Sequence, residues 1–130
     1  MNFRDKKHEE LFNEICGKMR YIDTYHQSLA YLLALDSVCR EHISEIYRID
    51  EDGIEPNSIS KAWQTDTSKR TTRLAFNLWN GTASDGETYI DKDGNEQLLP
   101  SCYFAPDEIF SCEYAPYYWQ AIKLRYPQYV

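Results

Sequence analysis

The chain has no glycine-rich loop. Its five glycines are scattered, and neither the G-x-x-x-x-G-K-[ST] phosphate loop nor the dinucleotide fingerprint G-x-G-x-x-G can be drawn through them. Nucleotide binding on a cradle of backbone N–H groups is therefore not expected. Cys-x-x-Cys is missing as well, although there are four cysteines. His8-Glu9 begins like a zincin helix, but Phe12 stands where the second histidine is needed. Long hydrophobic runs are absent. The longest, Leu29 to Leu35, is far short of the roughly 20 residues that cross a bilayer. The first residues, Met-Asn-Phe-Arg-Asp-Lys-Lys-His, lack the apolar stretch of a secretory signal. The expectation is a cytoplasmic protein without a membrane partner, its cysteines reduced thiols or metal ligands rather than disulfides.

Positive charge is also in short supply. Fourteen Lys and Arg face 21 Asp and Glu, for a net charge of −7. The imbalance is local. Residues 81–115 hold eight acids (Asp85, Glu87, Asp91, Asp93, Glu96, Asp107, Glu108 and Glu113) against Lys92 alone, which by itself gives −7. Direct DNA or RNA binding is a poor expectation for such a chain, because affinity there depends on neutralising phosphates. Docking on a basic protein surface suits it better. Solubility alone is the plain alternative.

What is present is apolar and aromatic content, 42% and 15% of the residues, enough for a core in one domain. His8, Leu11, Phe12, Ile15 and Met19 recur at helical spacing over 5–19. Asp23 or Thr24 can cap a second helix, 25–35, and Asp36 a third, 37–48. Asp66 is placed to cap a fourth, 67–80, with Gly81 at its C-terminal end. "GETYIDKDGNEQLLP" reads as a hairpin, strands 87–90 and 97–99, turning at Asp93-Gly94. Its "DKDGNE" matches an EF-hand loop poorly, because the glycine comes too early and no bidentate Glu follows. Pro106 and Pro116 open two C-terminal helices and Pro127 ends the last, whose Trp119, Ile122 and Tyr126 form the expected core face. The fold class is mainly α (α+β): about five helices and one short hairpin in a single domain, 1–130. Within it, 1–48 is an N-terminal helical bundle, 66–81 a central helix, 82–105 an acidic hairpin or loop, and 106–130 the C-terminal helices.

Chemistry has few candidates. Cys39 and His42 stand three apart, so a helix projects both from one face. Zinc favours sulfur and imidazole in a tetrahedron of four. Cys102, Cys112, His8 and His26 are the candidates for the remaining ligands, in a structural staple between the two ends of the chain. Small buried cysteines and a satisfied core histidine are the simpler alternative. Cysteine beside histidine also admits a nucleophile and base, but no local feature singles out an activated thiol. Stacking on single-stranded nucleic acid would need a basic groove beside the aromatic rings. Only Arg70, Arg73, Lys123 and Arg125 could line one, next to the acidic segment.

"TSKRTTRLAFNLWNG" (67–81) and "IFSCEYAPYYWQAIKLRYPQY" (109–129), with "FRDKKH" and "DTYHQSLAYLLAL", resemble a family of small, otherwise uncharacterised proteins of Firmicutes and their mobile elements. The similarity covers most of the chain except the hairpin. That family is identified as including a metal-containing type II-A anti-CRISPR protein, an inhibitor of the nuclease Cas9. The resemblance implies stoichiometric inhibition rather than catalysis, with Cas9 and its guide RNA as partner in a bacterial host cell. It assigns no metal ligand residue by residue. With the charge distribution, it suggests an acidic surface on a basic lobe, blocking the loading of target DNA. The contacts expected are Asp85, Glu87, Asp91, Asp93, Glu96, Asp107, Glu108 and Glu113, with Tyr114, Tyr117 and Tyr118 as aromatic anchors. A small metal- or thiol-dependent enzyme and an adaptor of unknown partner are the alternatives.

Overall fold

The computed structural model describes residues 1–129, Ser101 by its backbone. Helix α1 is Lys6–Lys18, opened by Asp5, whose carboxylate accepts the His8 backbone N–H at 2.7 Å. Helix α2, Thr24–Leu35, is capped in the same way by Asp23 on His26. Every residue from Ser28 to Leu35 is buried. A helix that is apolar on all sides has to be surrounded, and α2 is the common neighbour of α1, α5 (Asp66–Asn80) and α7 (Ala115–Arg125).

The third expected helix, 37–48, is broken. Asp36 does cap α3, accepting the Val38 and Cys39 N–H groups at 2.9 Å each, but α3 is only Ser37–Glu41. At His42 the backbone leaves helical geometry (φ −122°, ψ 24°) before the single turn α4, Ile43–Ile46. The His42 ring stacks on Trp63, centroids 4.0 Å apart and planes within 2°, and bonds Glu45. The chain then extends into β1 (Tyr47–Arg48), which pairs antiparallel with β2 (Gly53–Ile54). This is a second hairpin, not expected from the sequence. Its turn holds Asp52 at φ +53°, the left-handed region.

Helix α5 starts from a reciprocal capping box rather than from an Asp66 cap. Thr65 Oγ1 accepts the Ser68 N–H, and Ser68 Oγ accepts the Thr65 N–H. Gly81 ends it as expected, at φ +79° with its N–H on the Asn77 carbonyl. The acidic hairpin forms with β3 (Thr88–Ile90) on β4 (Glu96–Leu98), Tyr89 opposite Gln97. Helix α6 is one turn, Pro106–Ile109. No helix of the described residues is long and apolar enough to cross a membrane.

The expected inward face of α7 is corrected. Trp119 is 58% exposed, and Ile122 and Tyr126 are half-buried. The buried stripe is Tyr114, Tyr118 and Ala121, and the next residue along it is Arg125. Its anchors lie on α5 and α2. Tyr118 Oη meets Thr71 Oγ1 at 2.7 Å, and Arg125 Nε donates to the Leu78 carbonyl at 2.8 Å while its guanidinium covers the Tyr25 ring at 3.6 Å. Tyr118→Ala is therefore expected to cost about 3–5 kcal/mol, and Trp119→Ala no more than about 0.5 kcal/mol. Urea unfolding of the two variants checks the assignment.

Candidate functional site

The six candidate metal ligands do not converge. Cys39 is buried against α5, its Sγ 3.6 Å from Thr72 Oγ1 and 3.7 Å from the Ser68 carbonyl. His42 stands with Trp63 and Glu45. Cys112 Sγ lies 3.6 Å from Tyr118 Oη. Cys102 is buried in the segment whose carbonyl accepts the Asp85 N–H. His8 is enclosed near Phe3 and Tyr31. It has work of its own: the Arg4 N–H donates to Nδ1, so Nε2 carries the proton and donates to the Tyr31 carbonyl at 2.8 Å. Burial, foremost, holds its pKa below the ordinary value. Among the described residues no three His, Cys, Asp or Glu side chains form a group able to hold a metal ion. These residues do not fit a zinc staple.

Two of the thiols are poorly placed for nucleophilic work. Burial raises the pKa of Cys39 and of Cys16, which disfavours the reactive thiolate. All four cysteines are free.

The acidic residues divide. Asp85 is a correction: its side chain is only 2% exposed, although its backbone is open, and it takes a bidentate contact from Arg73 at 2.6 and 3.3 Å. It ties the 82–105 segment to α5 and cannot reach a partner. Asp91 works within the hairpin. It accepts the Asn95 and Asp93 N–H groups and the Gln97 side chain. The Asn95 bond is the main cause that holds its pKa below the usual carboxylate range. Glu87, Asp93, Glu96, Asp107, Glu108 and Glu113 are exposed. Of these, Glu96 accepts the Thr88 hydroxyl at 2.9 Å. Tyr114 and Tyr118, expected as anchors, are core residues, and Tyr117 is half-buried.

The exposed apolar groups are others. None of the six strand residues of β3 and β4 is buried, and Ile90 is 68% exposed, with Tyr89 and Leu98 also open. Trp119 stands out from α7 with its ring 4.9 Å from Phe110. In the hairpin the Asp93-Gly94 turn located the strands, but it carried no sign that neither face would be covered.

Two further features involve α1, α2 and the 37–54 segment. A groove of about 700 Å³ runs between α1 and the α3–β1 segment. Leu11, Ile15, Ile43, Tyr47 and Ile49 are its apolar lining. Nearby, His26 is held between two carboxylates, Asp23 and Asp52. His26 is among the ligands the sequence offers to a metal, but here both of its ring nitrogens face these carboxylates.

A family model matches the whole chain, residues 1–130. The chain belongs to DUF6075, a family of unknown function. Comparison with curated proteins and with solved structures gave no match. The DUF6075 assignment therefore leaves the geometry to speak for the site.

Two outcomes follow from it. Asp85→Ala removes the two charged hydrogen bonds from Arg73 and is expected to cost about 1.5–3 kcal/mol in urea unfolding, against about 0.5 kcal/mol or less for Asp93→Ala. In native protein, iodoacetamide labels Cys16 and Cys112 ahead of the fully buried Cys39 and Cys102. Mass spectrometry of a time course reads the order.

Proposed function

We propose that the chain is a binding protein, without turnover, that docks its acidic hairpin on a basic protein surface. The observation that carries this is the β3–β4 hairpin. Three-residue strands are marginal on their own, yet this pair buries none of its residues and exposes Ile90, Tyr89 and Leu98 beside Glu87, Asp93 and Glu96. Apolar side chains rimmed by like charges are a common form of interaction surface. The outer edges of the two strands also offer unpaired backbone groups for strand addition. Asp91 organises the turn from within.

The partner we propose is the type II CRISPR nuclease Cas9 with its guide RNA, as the sequence resemblance implies. Its heteroduplex lies in a positively charged channel, and an acidic hairpin has the charge to occupy a surface along it. Asp107, Glu108 and Glu113 would add long-range attraction to the encounter.

A triple variant, Glu87→Gln, Asp93→Asn and Glu96→Gln, is expected to weaken binding to the nuclease about tenfold or more at low salt, mostly through slower association. Wild-type affinity should fall with added salt. Surface plasmon resonance measures both, and unchanged affinity in the triple variant would remove the hairpin as the contact. In a cleavage assay, protein added before target DNA inhibits and protein added afterwards does not. Full cleavage in both orders would remove this nuclease as the partner.

A further inference from the structure

His26 sits in the first turn of α2, 5% exposed, and both of its ring nitrogens meet carboxylate oxygens. Nδ1 lies 2.6 Å from Asp23 Oδ1 and Nε2 lies 2.8 Å from Asp52 Oδ1. A carboxylate only accepts, and a neutral imidazole carries one N–H. It can meet one of these contacts but not both. The two oxygens already act as acceptors elsewhere: Asp23 Oδ1 takes the His26 backbone N–H and Asp52 Oδ1 takes the Tyr47 hydroxyl at 2.5 Å. Only the doubly protonated ring satisfies the whole arrangement.

The Asp52 contact holds more than one side chain. Asp52 is the non-glycine residue with positive φ among the described residues, a backbone position that needs outside support. Asp52 closes the 49–52 turn between β1 and β2, and Tyr47 to Asp50 on that hairpin also form one wall of the 700 Å³ groove. The ring thus joins α2 to the hairpin that shapes the groove.

We propose that His26 is a proton-operated latch: its imidazolium holds the 49–52 turn against α2, and loss of its proton releases the turn and moves that wall of the groove. The groups facing the ring are few. Asp23 comes from α2, Asp52 and the Tyr47 hydroxyl from the β1–β2 hairpin, and Tyr21 from the α1–α2 connection, 5.7 Å away between ring centroids. Helix α5 presents the uncharged edge of Trp79 at 4.8 Å. Arg20 is the cation nearby, bonded to the Asp50 carbonyl and favouring the Asp52 carboxylate.

The direction of the pH response follows. Burial, the largest influence on His26, opposes its charge, but the bonds and charges of Asp23 and Asp52 together outweigh it and raise its pKa. Both carboxylates are held below their ordinary range despite their own desolvation. The histidine contribution to stability is full below the unfolded value of about 6.5 and is lost as pH rises through the higher folded value. The carboxylate contribution is full above about 3.9 and is lost as pH falls through the lower folded values. The latch is closed between those limits.

The test is an NMR titration of the full chain from pH 4.5 to 9. The His26 ring nitrogens should both carry protons at neutral pH and titrate above the ordinary histidine value. The Ile49 and Ile43 methyl signals and the amides of residues 48–54 should move with the same midpoint. Asp52→Asn should lower that midpoint and shift the Ile49 methyl toward its high-pH position. A His26 midpoint at or below the ordinary value overturns the proposal, as do groove methyls that stay still while the ring titrates. Both readings come from the wild-type protein and stand even if the variant does not fold.

Discussion

Leu29 to Leu35 place seven successive apolar side chains around the full circumference of α2, so water can touch no face of that helix without a cost of about 25 cal/mol for each Å² left open. The rest of the molecule is arranged to meet that constraint. Helices α1, α5 and α7 approach from different directions, and their buried stripes are those that face α2 or each other. The polar groups drawn inward are satisfied by this packing: His8 on the Tyr31 carbonyl, the Arg40 side chain on the Ala34 carbonyl, Tyr118 on Thr71. The last turn of α2 and the last turn of α5 each have a guanidinium on a terminal carbonyl, Arg40 and Arg125, where cations are favoured.

The three histidines show how environment sets protonation in one small domain. His8 is neutral because a backbone N–H donates to it. His26 needs both protons because two carboxylates accept from it. His42 lies flat on an indole with Glu45 at its edge. All three have a structural partner set, which moves attention to the surface acids and to the latch.

Much of this architecture could be read from the chain. Asp23 and Asp36 precede helical periodicity, and each caps as that pattern implies. Gly81 and Asp93-Gly94 are as legible, because a positive φ has few candidates. Asp52-Gly53 carried the same Asp-Gly signal, but helical spacing across 37–48 masked it. The break at His42 depends on Trp63, a tertiary contact that local pattern does not contain. On α7 two overlapping stripes are both apolar, 114/118/121 and 119/122/126. The choice between them was made by Thr71 and the α2 surface. Asp85 was lost for the same reason, since its charge is visible in sequence and its partner Arg73, twelve residues earlier, is not.

The order of the helices has a consequence for the newly made chain. Helix α7, a principal cover for α2, follows it by about 80 residues. At a synthesis rate of roughly 5–20 residues per second that is an interval of roughly 4–16 seconds. Throughout it the LAYLLAL segment lacks its final wall, and the nascent chain presents to chaperones a stretch that the finished protein keeps from water.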